Sequence, residues 1–228
     1  MKRFAVLFAA FLTATSAQAI VIVPVGLSPG DEYRLVFITL DRTTAVSSDI
    51  TYYNDFVTAQ ANTSAELAAL GTTWNVIGST ATVSAKINTN TDDSPAGLNG
   101  VAIFRLDGLT IADNYDDLWD GSIDNTLNIA QDGTVLVLSG PEPFGAWTGT
   151  ESNGEISPGF ALGDLMVRDG DPGSTAQSWV RTAPNDADVP EFLYAISGVL
   201  TVPVPEPSTL ALLGAGLLGL AYRRRVTP

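Results

Sequence analysis

An α+β fold with short strands and long loops is what this sequence predicts, and three observations predict it. Residues 32–40 form a β-rich, partly alternating run. Two helical stretches follow directly, within residues 48–70. Beyond Trp74 the apolar runs shorten to a few residues, and polar, glycine-containing stretches separate them. Helices gathered early and strands later, without βαβ alternation, point to α+β.

Ser28-Pro29-Gly30-Asp31 is a turn signal that hands the chain to the first strand. Ser48-Asp49 supplies an N-cap for a helix whose Tyr52, Phe56 and Ala59 recur at i, i+4 and i+7, predicting one apolar face. Residues 64–70 predict a second helix carrying Leu67 and Leu70, stopped by Gly71. Residues 73–77 and 80–85 read as short extended pieces, and 87–100 as a polar loop. Val101 to Leu106 is a strand closed by Asp107-Gly108, and residues 113–121 form an acidic loop around Leu118-Trp119. Short strands are expected at 134–138 and 144–148, separated by Gly140-Pro141, then a long loop over 149–164. Ser178-Trp179-Val180 and an alternating strand over 192–200 close the domain. Loops this long inside a compact body usually serve function.

Both ends of the chain look like addresses rather than fold. Lys2 and Arg3 precede an apolar run over residues 4–12, and Ala17-Gln18-Ala19 fits a small-residue cleavage site. Residues 1–19 are therefore expected to be a signal peptide removed by signal peptidase. Residues 20–202 suit one exported globular domain.

Residues 203–228 form a tail in three ordered parts. Pro205-Glu206-Pro207 is a proline-stiffened, extended marker. Residues 209–222 are apolar and uncharged, predicting a C-terminal hydrophobic helix. At ~1.5 Å per residue it spans ~20 Å, short of a ~30 Å hydrocarbon core. Arg223, Arg224 and Arg225 can snorkel to headgroups and mark the cytoplasmic end. This arrangement resembles the PEP-CTERM sorting tail of Gram-negative envelope and matrix proteins. The resemblance implies that exosortase, a membrane protease, recognises Pro205, Glu206 and Pro207. It also implies a transient inner-membrane anchor, followed by delivery to the cell surface or extracellular matrix.

Composition removes several function classes. Eleven Lys and Arg face 25 Asp and Glu, for a net charge of −14. Five of those cations lie in the two address segments, leaving Arg34, Arg42, Lys86, Arg105, Arg168 and Arg181 for the body. Such a body is repelled by nucleic acid. With no cysteine there is no disulfide, thiolate nucleophile or Cys-zinc site. With no histidine there is no Ser-His-Asp triad and no His-ligated zinc.

The order strand, helix, helix, then loops woven among strands resembles a single C-type-lectin-like or endostatin-like domain. Phe104-Arg105-Leu106-Asp107-Gly108, Leu118-Trp119-Asp120-Gly121, Ala146-Trp147-Thr148-Gly149-Thr150 and Ser178-Trp179 carry that resemblance to exported bacterial domains. The lectin disulfides are absent. The Glu-Pro-Asn or Gln-Pro-Asp sugar triplet is reduced to Glu142-Pro143-Phe144, so no lectin site is carried over.

Candidate chemistry centres on oxygen ligands. Asp113, Asp116, Asp117 and Asp120 crowd eight residues and are the candidate ligands for Ca2+, the one candidate cofactor. Residues 88–93 and Asp169-Gly170-Asp171 are lesser versions, and none follows the EF-hand pattern. Trp119, flanked by carboxylates, is the tryptophan most expected to be exposed and able to stack on a sugar. Trp74, Trp147 and Trp179 are expected core anchors. Glu142, Glu151 and Glu155 are the paired carboxylates a glycoside hydrolase would need. The reading that follows is a sorted, non-catalytic envelope or extracellular-matrix protein acting in adhesion or binding, with exopolysaccharide as a candidate partner. A polysaccharide-active hydrolase and a calcium-dependent glycan-binding protein are the alternatives.

Overall fold

The computed structural model describes residues 23–92, 99–137 and 145–204. The expected signal peptide (1–19), Asp93, Glu142, the Pro-Glu-Pro element, the apolar helix (209–222) and the Arg223, Arg224, Arg225 stop lie outside the described residues.

The domain is a mixed α/β unit with few helices, built on a nine-stranded sheet. Strand β1 (Glu32–Ile38) leads into α1 (Ile50–Ala61) and α2 (Ala65–Ala68). Next come β2 (Trp74–Val76), α3 (Ala85–Thr89), β3 (Ala102–Arg105), β4 (Thr110–Ala112) and α4 (Tyr115–Leu118). The chain finishes with β5 (Ala146–Trp147), β6 (Met166–Gly170), β7 (Pro184–Asp186), β8 (Phe192–Ser197) and β9 (Leu200–Thr201). Sheet order is β4-β3-β1-β8-β5-β6-β7, with β2 also on β8 and β9 also on β1. Thus the first long strand pairs antiparallel with the last two, at Val36↔Ile196 and Glu32↔Thr201, and brings the ends of the domain together.

β1 and β8 are the centre, and both are buried on both faces. Tyr33, Leu35, Phe37, Leu193 and Ala195 pack with Tyr53, Val57, Trp74 and Trp147 on one side. Val36, Ile38, Tyr194 and Ile196 pack with Leu118, Trp119 and Trp179 on the other. The alternation expected in β8 is therefore two different buried faces, because loops and α4 cover the side that an amphipathic strand would leave wet.

Several expectations are corrected. The inner face of α1 is Tyr53, Val57, Gln60 and Ala61, one position round from Tyr52, Phe56 and Ala59. Both stripes are apolar, and tertiary packing chose between them. Tyr53 anchors inward with its hydroxyl on Ser47 O at 2.8 Å, while Tyr52 is 45% exposed. The polar loop expected from residue 87 begins as α3. Ser84 caps it, and Asn90 ends it in the left-handed conformation (φ 52°). Residues 80–85 hold one isolated bridge, Thr80↔Leu162, and no strand. β4, β6 and β7 are not among the expected strands, and residues 177–179 form a 3-10 turn.

Candidate functional site

The acidic loop is an ordered helical turn with its carboxylates turned outward. Asn114 caps α4, its Oδ1 accepting from Asp117 N at 3.0 Å, and Asp117 Oδ2 accepts from Asp113 N at 2.7 Å. Asp120 Oδ1 accepts from both the N–H and the hydroxyl of Ser122 at 2.9 Å. Asp113, Asp116 and Asp120 are exposed and Asp117 half-buried. Among the described residues, no three acidic side chains converge to hold a metal ion. Asp124 belongs to the same field. Its carboxyl is pushed up by partial burial first, then by the charges of Asp117, Asp113 and Asp120.

Trp119 is the most exposed of the four tryptophans, and it is still only 7% exposed. Its indole N–H donates to Thr91 Oγ1 at 2.8 Å, and its ring lies 5.9 Å from that of Trp179. Trp179 in turn packs on Tyr194, so Trp119 is the outer end of a buried aromatic row. The expectation of an exposed sugar-stacking ring is corrected by this geometry.

Of the carboxylates that the sequence nominates as a pair, Glu151 and Glu155 are neighbours across a turn, with Glu151 N donating to Glu155 O at 2.9 Å, but their side chains are engaged by different cations. Glu151 is held by Arg168, by Arg181 and by the Ser157 hydroxyl. Burial alone would raise its carboxyl, but Ser157, Arg181 and Arg168 outweigh that and hold it below the usual carboxylate range. Glu155 is largely exposed and reaches Lys86 instead, at 3.6 Å.

A different pair meets in the interior. Asp169, on β6, and Glu191, just before β8, are 6% and 0% exposed. Asp169 accepts from the Thr182 hydroxyl and from Asn185 Nδ2, the latter at 2.7 Å; the same amide approaches Glu191 Oε1 at 3.3 Å. Glu191 Oε2 has no donor, and two ionised carboxylates cannot satisfy each other. One retained proton resolves this, with protonated Glu191 donating to Asp169. The Glu191 carboxyl is accordingly pushed up to about 8, by burial first and then by the Asp169 charge. Asp169 is also raised, chiefly by burial. Arg42, stacked 4.4 Å over the Phe192 ring, opposes part of the shift in Glu191. Gly145 seats the pair. A Cβ there would lie 2.6 Å from Glu191 Oε2 and closer still to Asp169 Oδ2.

Sequence reasoning missed this pair because its members are far apart in the chain and each looks ordinary. The available signal was Glu191 standing directly before the apolar run Phe192-Leu193-Tyr194-Ala195-Ile196, whose burial carries it inside. Chemically, the pair is a proton-holding junction of β6, β8 and the start of β5.

No curated protein matches the chain. A family model for the PEP-CTERM protein-sorting motif matches residues 203–225, a span that contains Pro205, Glu206 and Pro207 and ends on Arg223, Arg224 and Arg225. By that motif the chain is an exosortase-substrate protein, exported and sorted to the cell surface.

Proposed function

We propose that the exported domain is a non-catalytic module of the cell envelope or extracellular matrix, acting in adhesion or binding, with exopolysaccharide as its partner class. Signal peptidase releases the domain from residues 1–19. The apolar run at 209–222 then holds it transiently in the inner membrane of a Gram-negative cell until exosortase acts. Pairing of the first strand with the last two, with helices directly after the first, supports a lectin-like frame for this domain.

One observation carries the non-catalytic reading. The carboxylates that meet, Asp169 and Glu191, are sealed among protein groups. A glycoside hydrolase needs its two carboxyls ~5–9.5 Å apart across an open cleft, with room for a sugar and water. Glu151, the accessible alternative, is already neutralised by two arginines and so is poorly suited to take or give a proton. Incubating the purified protein with a panel of bacterial polysaccharides should give retention without chain shortening. Release of oligosaccharides that is lost in Glu151→Gln, or in any other single carboxylate variant, would establish the hydrolase instead.

A further inference from the structure

The end of the domain from which the tail departs carries a groove and exposed valines. A groove of about 400 Å³ runs between the end of α2 and β9, lined by Val23, Tyr33, Leu70, Val199, Leu200 and Pro203. Pro203 is also the first residue of the matched sorting motif. Val199 (44% exposed) and Val23 (38%) line the groove, Val204 (66%) directly follows its Pro203, and Val25 (98%) lies two residues along the chain from Val23. Solitary exposed aliphatics are ordinary, but exposed valines that line a groove, with others next to them in the chain, make a surface of the kind that marks an interaction site.

The length of chain beyond the described residues limits what can cover this patch. The first aliphatic residue of the apolar run is Leu210, six residues after Val204. Six residues span at most ~20 Å, of which the headgroup layer alone takes roughly 6 Å. A domain of this size has a radius of gyration of roughly 16 Å, so its far side cannot swing round to the bilayer on so short a tether. Whenever the run lies in the membrane, this end faces the lipid.

We propose that this end is a lipid-contacting face: Val23, Val25, Val199 and Val204 rest in the headgroup layer around the groove while the tail is held in the membrane. This inference rests on the membrane-held tail of the proposed function. Asp31, Glu32 and Glu66 are exposed on the neighbouring turn, β1 and α2, so the surface that fits is zwitterionic rather than anionic. Contact there would hold the domain upright over the membrane and fix the position of the Pro-Glu-Pro element beneath it.

The absence of cysteine makes the test direct. Full-length protein carrying Val25→Cys, labelled with an environment-sensitive fluorophore, is reconstituted into phosphatidylcholine vesicles. Leu165→Cys is the control, since Leu165 is 90% exposed beside a separate hollow with Val46 and Asp186. The label at Val25 should brighten about twofold or more, shift to the blue and be quenched by brominated lipid, with little change at Leu165. Adding Val199→Asp and Val204→Asp should reverse the change while the protein still floats with vesicles. Failure to float would overturn both the membrane-held tail and this face. Flotation with equal responses at the two labels would overturn the face alone. Brightness at Val25 without vesicles would assign the groove to protein contacts and likewise overturn it.

Discussion

Two acidic regions of this domain behave in opposite ways. Asp113, Asp116, Asp117 and Asp120 crowd one turn of chain, yet three are exposed and their hydrogen bonds are local. Asp169 and Glu191 lie 22 residues apart and share one buried seat. Density in sequence therefore did not become convergence in space. A short helix such as α4 fans neighbouring side chains around its axis, whereas a sheet brings distant residues to the same layer. The crowded acids stay hydrated and screened by salt. The buried acids must keep a proton, because burying two like charges together costs far more than retaining one proton.

The sharpest way to break the comparison is to remove the seat. Gly145→Ala should destabilise the fold by about 3 kcal/mol, since the new methyl meets both carboxyls and the backbone of β5 must shift. Gly121→Ala, beside the exposed acids, meets nothing within 4 Å. It should cost only about 1 kcal/mol, for its left-handed φ of 104°. Urea unfolding of both variants checks the pair of values. Equal losses would mean that the packing around Asp169 and Glu191 is loose.

The second test uses pH. Above the ordinary glutamate range the unfolded chain releases the Glu191 proton, while the folded chain keeps it until about pH 8. The folded state then binds more protons than the unfolded state, so stability is highest below that range. It falls as pH rises, by up to ~1.4 kcal/mol per pH unit, until the folded group also ionises. Glu191→Gln removes the titration and leaves an amide able to donate to Asp169. The variant should give a flatter stability profile between pH 5 and 9 and exceed the unsubstituted protein at pH 9 by on the order of 2 kcal/mol. Parallel profiles would show that no proton is held there.

What could be read from the sequence follows the same division. β1, the α1 cap at Asp49, Ser64 with α2, β2, β3 and the Asp107-Gly108 turn were legible because each is set by neighbours in the chain. The tail was legible because its order of parts is itself the signal, as the match over 203–225 shows. The three- to five-residue strands β4, β6 and β7 were not, since their pairing depends on partners such as Val167↔Asn185 that no local pattern announces. Nor was the inner stripe of α1, where two neighbouring stripes were both apolar and only the packed sheet selected Tyr53 and Val57. The site failed for the first reason in its strongest form. Charge crowding is visible locally, but the burial of Glu191 and its meeting with Asp169 exist only once β6 and β8 are in one sheet.

The smallest expected effect tests the exposed side of the comparison. Asp117→Asn with Asp120→Asn should change stability by less than about 0.5 kcal/mol, as surface substitutions usually do. The asparagine Oδ1 can still accept from Asp113 N and from Ser122, so the local turns survive. Relief of like charge near Asp124 should add slightly to stability rather than subtract from it. Calcium sharpens the result. A site of six to eight oxygens would bind the folded state and raise the thermal midpoint in proportion to RT ln(1 + [L]/Kd). With three of the four aspartates exposed and no three acids converging among the described residues, millimolar calcium should leave the midpoint within about 1 °C of its value in chelator. A rise of several degrees that disappears in the double variant would mean that these aspartates swing together around an ion. The exposed cluster would then be a binding site, and sequence density a better guide to convergence than the turn geometry allows.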